Sequence, residues 1–286
     1  MLHLRAPAKI NLYLKVLGRR GDGYHELATW MQKLELADDI TLALNREGIT
    51  LHCRGAELGA AEKNLAYRAA LLFFKETGLP GGVAITLVKN IPVAAGLGGG
   101  SSDAAAVLTG LNRLYDAGLD ERKMMELGLL LGADVPFFVA DCRAAIATGI
   151  GEKLQEMDSL QGKLFVLVNP GFPVSTKWVF ENFDYAQPAN LALTIEDNAY
   201  ILRRAFDGSL PARLFNDLER VTTARYPEVA SLKKELAAAG ASEALMSGSG
   251  PTVFGIFSDS ALAAQCAANL QHRYPGRVFL TEPLSS

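Results

Sequence analysis

The sequence predicts an α+β protein with two lobes, and three observations lead to that fold class. Segments with the two-residue alternation of strands and segments with the helical period follow one another loosely along the chain, with antiparallel hairpins expected. The pattern starts afresh at residues 163–170, after a boundary near residues 156–162. The length of 286 residues suits one large domain or two modest ones. We therefore expect an N-terminal lobe over residues 1–158 and a C-terminal lobe over residues 159–286.

The N-terminal lobe is predicted to start with a half-buried strand at residues 9–18. Aliphatic side chains occupy alternate positions there, and polar side chains such as Lys9 and Asn11 share the other face. A glycine-rich turn follows at residues 18–26. Further strands are predicted at residues 28–36, 40–44, 49–53, 83–89 and 143–149, and a turn at Asp38 and Asp39 joins the first two.

Helix ends are marked by their usual residues. Asn64 and Asp120 are typical N-caps, and Gly78 and Gly118 are typical of the position after a last helical turn. The helices of the N-terminal lobe are predicted at residues 64–78, 102–118 and 120–132. In the C-terminal lobe, helices are predicted near residues 176–183, 195–206, 214–225, 228–239 and 261–274. Its strands are predicted at residues 163–170, 243–247, 252–257 and 277–281.

The composition is typical of a globular protein with a buried core, because 49% of the residues are hydrophobic and 21% are charged. The net charge of −3 gives no reason to expect a nucleic-acid partner. Three widely spaced cysteines without a CxxC pair argue against a disulfide framework or a zinc site and favour the cytoplasm. Arg5 and Lys9 would lie in the apolar core of a secretory signal, which argues against such a signal. Charged residues such as Asp134 interrupt the most apolar stretch of the chain, so we expect no membrane-spanning segment and no membrane partner.

The segment IPVAAGLGGGSSDAAA, residues 91–106, indicates a phosphate-binding loop. It connects a predicted strand to a helix expected to begin near Ser101 or Ser102, and helix N-termini present unpaired N–H groups and partial positive charge. Glycines let an anion approach the backbone closely, and serine hydroxyls can add bonds to phosphates or help to hold Mg²⁺. The alternative is a tight turn with a serine N-cap. We favour phosphate binding because four glycines exceed what a turn needs; the Walker A and Rossmann patterns do not fit.

The same loop closely resembles the phosphate loop of the GHMP kinases. APAKINLYL, residues 6–14, is similar to the N-terminal motif of that family, and LMSGSGPTVFGIF, residues 245–257, is similar to its C-terminal glycine motif. The three motifs spread across the whole chain. The resemblance implies the two-lobed GHMP kinase fold, with a left-handed β-α-β crossover in the N-terminal lobe and a ferredoxin-like C-terminal lobe. It also implies a kinase that uses ATP and Mg²⁺, with its active site in a cleft between the lobes.

The resemblance assigns ATP-binding positions to the loop and to two residues outside it. These are Pro92, Gly96, Leu97, Gly98, Gly99, Gly100, Ser101 and Ser102, with Asn64 and Lys89. Some relatives carry glycines where this chain has Ala94 and Ala95, which leaves fewer positions free for a positive φ at the start of the loop. We therefore expect the phosphate contacts from residues 98–102.

Asp134 and Lys9 are the expected catalytic residues. A carboxylate near the attacking hydroxyl can take its proton, and Asp134 matches the catalytic aspartate of the family. Because Asp134 precedes Pro136, it could also be a plain N-cap. The ammonium of Lys9 could orient Asp134, lower the pKa of the hydroxyl or meet a γ-phosphate oxygen, and the alternative is a solvated lysine on an exposed strand face.

Two further segments indicate the substrate. GRRGDGYHEL, residues 18–27, and LGADVPFF, residues 131–138, resemble the family member that phosphorylates the 2-hydroxyl of a cytidine-diphosphate-linked methylerythritol on the non-mevalonate isoprenoid route. Tyr24 would then stack on the cytosine, His25 would bond its polar edge, and Phe180 would cover its other face, although Phe180 could also be a plain core residue. The remaining substrate-binding positions implied by the resemblance are Asn11, Thr176 and Gly248.

Three other functions compete with this interpretation. A sister kinase of another alcohol, such as homoserine or mevalonate, would not need Tyr24 and His25. A non-catalytic nucleotide-binding relative would be expected to have lost Lys9, Asp134 or the glycine loop. An interaction module would leave the glycines unexplained. No residue is assigned to the metal, and we expect a small-molecule substrate and a monomer or weak homodimer.

Overall fold

The structure is a computed structural model that describes residues 1–56, 59–185 and 214–285, so the helix predicted at residues 195–206 lies outside the described residues. The chain divides into two compact units that alternate along the sequence. Unit 1 consists of Met1–Ala8, Leu36–Val93 and Gly98–Cys142, and unit 2 consists of Lys9–Glu35, Ala94–Leu97 and Arg143–Ser286. The continuous division into lobes at residues 158 and 159 stays a prediction.

Unit 1 contains a sheet whose strand order is β3-β4-β2-β1. These strands are β1 (Leu2–Arg19), β2 (His25–Asn45), β3 (Gly48–Arg54) and β4 (Gly82–Val88). Strand β4 is antiparallel to β2 and parallel to β3. The first part of β1 and the last part of β2 belong to this unit, and their inward side chains face its helices.

Four helices complete unit 1: α1 (Leu65–Thr77), α2 (Gly99–Leu114), α3 (Glu121–Leu131) and α4 (Val135–Val139). Helices α1 and α2 pack through buried alanines such as Ala69 and Ala105, which allow close approach, with Phe73 filling the core beside them. The predicted caps are confirmed, because the side chains of Asn64 and Asp120 accept backbone N–H bonds at the starts of α1 and α3.

Unit 2 contains two sheets. The first has the order β8-β1-β2-β5-β6, with β5 (Ala144–Gly149), β6 (Lys153–Met157) and β8 (Phe215–Asn216) added to the remaining parts of β1 and β2. Strand β8 is parallel to β1, while β5 is antiparallel to both β2 and β6.

The second sheet of unit 2 has the order β11-β7-β10-β9, with every pair antiparallel. Its strands are β7 (Leu164–Val168), β9 (Glu243–Met246), β10 (Val253–Phe257) and β11 (Val278–Thr281). The helices of unit 2 are α5 (Thr176–Glu181), α6 (Glu219–Arg225), α7 (Pro227–Ala238) and α8 (Ser260–Arg273). Helices separate β7 from β9 and β10 from β11, which is the ferredoxin-like β-α-β-β-α-β arrangement that the sequence analysis expected.

Three predictions about elements were wrong. The turn at Asp38 and Asp39 does not exist, because β2 runs unbroken through both residues and the Asp38 carboxylate bonds backbone N–H groups of a neighbouring segment. Strand β6 was missed. The helix predicted at residues 214–225 begins only at Glu219, because Asn216 pairs with β1 and its side chain bonds the carbonyls of Met246 and Gly248.

Candidate active site

The glycine loop enters α2 in unit 1 without a serine cap. Gly98 is the N-cap residue with a left-handed φ of 71°, and the helix starts at Gly99, so both serines lie inside its first turn. The serine N-cap alternative is therefore wrong, and so is the predicted helix start near Ser101. Ser102 is buried, and its hydroxyl has no hydrogen-bond partner among the described residues. A buried hydroxyl of this kind, at the positive end of a 16-residue helix, suits a bound anion or its counter-ion.

The middle of the loop belongs to unit 2, where the C-terminal glycine motif holds it. The Ser247 hydroxyl donates to the carbonyl of Gly96 over 2.9 Å, and the N–H of Lys9 donates to the carbonyl of Leu97 over 2.9 Å. Gly96 has a φ of 78°, and a Cβ built there would lie 2.1 Å from the carbonyl oxygen of Ser247. Only glycine therefore fits at this position.

Ala94 differs from the expectation for it, whereas the binding role of Gly248 stays a prediction. Ala94 adopts a left-handed φ of 52° although it has a side chain, so the chain reaches the loop through a conformation that glycine would adopt more easily. Gly248 lies beside the loop, because a Cβ added to it would be 3.2 Å from the carbonyl oxygen of Gly96 and 3.3 Å from the Oδ1 of Asn11. The two glycine motifs thus meet within unit 2.

Lys9 and Asn11 form a buried polar chain on β1. Their exposed fractions are 4% and 2%, so the alternative of a solvated lysine is wrong. The Nζ of Lys9 donates to Oδ1 of Asn11 over 2.7 Å, and Nδ2 of Asn11 donates to the hydroxyl of Thr29 over 2.9 Å. The hydroxyl of Thr29 donates in turn to the carbonyl of Tyr13 over 2.6 Å. This chain fixes the direction of a buried ammonium, which is what an electrostatic role in a reaction requires.

Asp134 stands immediately before α4 in unit 1. It occupies the N-cap position, but its side chain makes no capping hydrogen bond to the helix within the described part of the chain, so the plain-cap alternative is not supported. Helix α4 packs against α2 and α3. A Cβ built on Gly132 would lie 3.8 Å from the Ser101 hydroxyl oxygen. The half-buried turn that carries Asp134 therefore lies against the first turn of α2.

A buried ion cluster lies in unit 1 at the entrance to the same loop. The ammonium of Lys89 donates to Oδ2 of Asp103 over 2.7 Å and forms a second ion pair with Asp38. Burial raises the pKa of Asp103 to about 7, against the opposing pull of the Lys89 charge. Burial alone would lower the pKa of Lys89, but the two carboxylates together raise it. The family resemblance predicts Lys89 at the nucleotide, but no motif in the sequence indicates either of its two carboxylate partners.

Aromatic rings from three segments meet in unit 2. The ring of His25 stacks on Phe180 with centroids 4.6 Å apart and on Tyr185 with centroids 5.9 Å apart. Burial, and secondarily the charge of Arg19, lowers the pKa of His25, so its ring is neutral at pH 7. Tyr24 is 57% exposed. The sequence analysis missed Tyr185, because no motif surrounds it.

Three other predicted binding residues lie at the starts of helices or of the loop. Thr176, the first residue of α5, shares a hydrogen bond of 2.8 Å with the hydroxyl of Ser249 in the C-terminal glycine motif. The side chain of Asn64 caps α1 through the N–H of Ala66 over 2.8 Å. Pro92 lies at the start of the loop, directly after the buried Ile91.

Comparisons with known proteins identify the family of the chain. The profile described as "GHMP kinases N terminal domain" matches residues 64–141, and "GHMP kinases C terminal" matches residues 201–276. A protein of Syntrophotalea carbinolica named 4-diphosphocytidyl-2-C-methyl-D-erythritol kinase is 50% identical over 98% of each chain. A protein of the same name from Desulfotalea psychrophila is 48% identical over 91% of this chain and 86% of its own. The chain belongs to the 4-diphosphocytidyl-2-C-methyl-D-erythritol kinases of the GHMP kinase family.

Solved structures support the same family and its fold. A crystal structure titled 4-(cytidine 5'-diphospho)-2C-methyl-D-erythritol kinase has a TM-score of 0.81 at 37% identity and covers 99% of this chain and 100% of its own. A homoserine kinase from Cytophaga hutchinsonii shares the fold alone, with a TM-score of 0.71 at 16% identity over 99% of this chain and 94% of its own. The GHMP kinase fold is confirmed, and the chain is a small-molecule kinase that uses ATP.

Some features of the site are visible in the sequence, and others are visible only in the structure. Each of the three family motifs is a contiguous segment and is therefore visible in the sequence. Asp38 and Asn216 lie outside these motifs and contact the loop or its supports through long sequence separations, so no local pattern reveals them. Ser247 lies inside the C-terminal motif, but its bond to Gly96, 151 positions away, is visible only in the structure. Among the described residues, no helix is both long and apolar enough to cross a membrane.

Proposed function

We propose that this GHMP kinase transfers the γ-phosphoryl group of ATP, with Mg²⁺, to the 2-hydroxyl of 4-diphosphocytidyl-2-C-methyl-D-erythritol on the non-mevalonate route to isoprenoid precursors. The observation that carries the choice of substrate is the ring stack of His25 and Phe180 in unit 2. A pyrimidine base stacks on such rings. Homoserine and mevalonate have no ring, so a sister kinase of either alcohol would have no substrate ring to place against this aromatic cluster.

The phosphate groups of ATP are assigned to the start of α2. The backbone N–H groups at the start of the helix, residues 98–101, and its positive end attract the phosphate charge. Ser102 supports this assignment, since its buried hydroxyl has no partner in the described part of the chain. That hydroxyl could bind a phosphate oxygen or the Mg²⁺ that accompanies ATP. When bound, the metal ion would neutralise charge on the transferring phosphoryl group.

Asp134 is assigned as the group that takes the proton of the attacking 2-hydroxyl. The assignment is supported by the position of Asp134, on a turn that lies against the first turn of α2, where the phosphates are assigned. Lys9 is assigned to electrostatic stabilisation. Its burial strengthens its electric field, and its bond to Asn11 fixes its direction.

The cytidine end of the substrate is assigned to Tyr24, His25 and Phe180. The neutral ring of His25 can donate one hydrogen bond and accept another at the polar edge of cytosine. Tyr24 is exposed and offers a free face for stacking. Thr176, Asn11 and Gly248 complete the proposed substrate-binding set. We further expect the protein in the cytoplasm, as a monomer or weak homodimer.

The test is ATP consumption with Mg²⁺ on a panel of alcohols: the cytidylylated methylerythritol, free methylerythritol, homoserine, mevalonate and galactose. We expect turnover with the cytidylylated alcohol alone. Turnover with another alcohol would keep the phosphate loop and Asp134 and discard the cytidine assignment. Binding of ATP without turnover of any alcohol would favour a non-catalytic nucleotide-binding relative.

A further inference from the structure

The ion cluster of unit 1 ties together the two ends of the glycine loop. Lys89 comes directly after β4 and before the loop, whereas Asp103 lies in the first turns of α2 after it. Asp38 belongs to β2, more than fifty positions earlier than the loop. The exposed fractions of the three side chains are 0% for Asp38, 5% for Lys89 and 3% for Asp103. None of the three reacts in the proposed phosphoryl transfer.

The side chain of Asp38 bonds the backbone of the residues at the entrance to the loop. Oδ1 of Asp38 accepts the N–H of Asn90 over 2.6 Å and the N–H of Ile91 over 2.8 Å, and its other oxygen pairs with Lys89. One carboxylate thus fixes three consecutive residues. The side chain of Asn90 adds a bond of 2.9 Å to the carbonyl of Ala37. The chain before the loop is therefore held to β2 at several points.

The fixed residues pack directly against the start of α2. A Cβ built on Gly99 would lie 3.1 Å from Cγ2 of Ile91 and 3.3 Å from Nζ of Lys89. The Lys89 ammonium also donates a hydrogen bond to the carboxylate of Asp103 over 2.7 Å. Asp38 therefore reaches the exit of the loop as well as its entrance, with Lys89 as the connecting group.

The charges of the cluster argue against a direct phosphate contact for Lys89. Its single positive charge faces two carboxylates in a nearly dry environment. Two carboxylates around one ammonium leave excess negative charge, which agrees with the raised pKa of Asp103. A cation whose charge is already matched attracts a phosphate weakly, so its effect on ATP must come through loop geometry.

We propose that Asp38 is a positioning residue for the phosphate loop, acting on Asn90 and Ile91 through their backbone N–H groups and on α2 through the side chains of Lys89 and Asp103. The inference deepens the proposed function and rests on it, because it assigns Asp38 to the ATP half of the reaction.

The test compares Asp38→Asn with Asp39→Asn. Both are carboxylate-to-amide changes at adjacent positions of β2, but Asp39 is exposed and reaches only the Asn90 side chain among the bonds described, at 3.0 Å. For Asp38→Asn we expect the Kd of a non-hydrolysable ATP analogue to rise about tenfold, since charge-assisted hydrogen bonds are lost. We expect kcat and the KM of the cytidylylated alcohol to stay within about threefold, and all constants of Asp39→Asn within about twofold.

Calorimetric titration of the analogue gives the Kd, at a temperature at which circular dichroism shows each variant folded. Asp103→Asn is the second variant, because it keeps the backbone anchor and removes only the far carboxylate charge; we expect its Kd to rise about threefold. If both carboxylates act through Lys89, the double variant leaves that ammonium buried without a counter-charge, and its Kd should exceed the product of the single effects.

Three results would each overturn the inference. The first is an unchanged Kd of the ATP analogue in Asp38→Asn, and the second is an equal increase in the KM of ATP and the KM of the cytidylylated alcohol. The third is a double variant whose Kd rises only by the product of the two single effects. The titration needs no alcohol, so it is independent of the substrate assignment. The wild-type enzyme could fail to phosphorylate the cytidylylated alcohol while Asp38→Asn still raises the Kd of the ATP analogue. That result would refute the proposed function but would leave the role of Asp38 intact.

Discussion

Replacing Gly96 by alanine tests the contact between the glycine loop and the C-terminal glycine motif. Gly96 has a φ of 78°, and its backbone carbonyl accepts the Ser247 hydroxyl over 2.9 Å. A methyl group added there would point at the Ser247 carbonyl oxygen. The substitution therefore strains the backbone and pushes apart the two segments that this hydrogen bond joins.

The expected loss of stability has two parts. A side chain in the left-handed region costs about 1–2 kcal/mol. The added Cβ would stand 2.1 Å from the Ser247 oxygen, whereas carbon and oxygen normally approach to about 3.3 Å, so the backbone must move by more than about 1 Å. Overpacking of this kind costs about 1–3 kcal/mol. We expect Gly96→Ala to lower the free energy of unfolding by about 2–5 kcal/mol.

The matched control is Gly118→Ala, which has the strain without the clash. Gly118 has a φ of 68°, and no described atom lies within 4 Å of the position its Cβ would take. Urea unfolding of both variants should show a loss of about 1 kcal/mol for Gly118→Ala and a clearly larger loss for Gly96→Ala. The KM for ATP should rise at least about tenfold in Gly96→Ala and stay unchanged in Gly118→Ala.

Equal stability losses in the two variants would refute the reasoning, since only the Cβ added at Gly96 would clash, with the backbone of Ser247 first and that of Gly250 second. A large stability loss in Gly96→Ala with an unchanged KM for ATP would keep the packing but refute the link between this contact and nucleotide binding.

Three further predictions concern the site. Asp134→Asn should abolish turnover while the Kd of an ATP analogue changes less than about threefold, and a kcat near that of the wild type would contradict its role as base. Tyr24→Ala should raise the KM of the cytidylylated alcohol by about tenfold or more with little change for ATP; equal increases would remove the stacking assignment. The pKa of Asp103 is raised from 3.8 to about 7, so its contribution to stability is complete below about pH 4 and lost as the pH rises through about 7. Asp103→Asn should flatten the plot of Tm against pH between about pH 4 and pH 7. A plot parallel to that of the wild type would count against the raised pKa of Asp103.

Much of the fold could be predicted because its information is local. Caps such as Asn64 and Asp120 use contacts within three residues, and the aliphatic face from Ile10 to Val16 follows from alternation alone. The error at Asp38 has the opposite cause. Two adjacent aspartates are typical of a turn, and nothing nearby in sequence shows that one of them bonds backbone groups more than fifty residues later.

Lys9 shows the same limit within the site. Alternation correctly placed it on the polar face of β1 with Asn11, but the period of a strand does not distinguish a face covered by solvent from a face covered by protein. Lys9 is buried, and its partner Asn11 donates its amide to Thr29, 18 positions later in the chain. A polar face can be buried only when such distant partners satisfy its hydrogen bonds, because a buried polar group without a partner is costly. The burial of Lys9 with a fixed partner is therefore stronger support for a catalytic role than the motif that first indicated it.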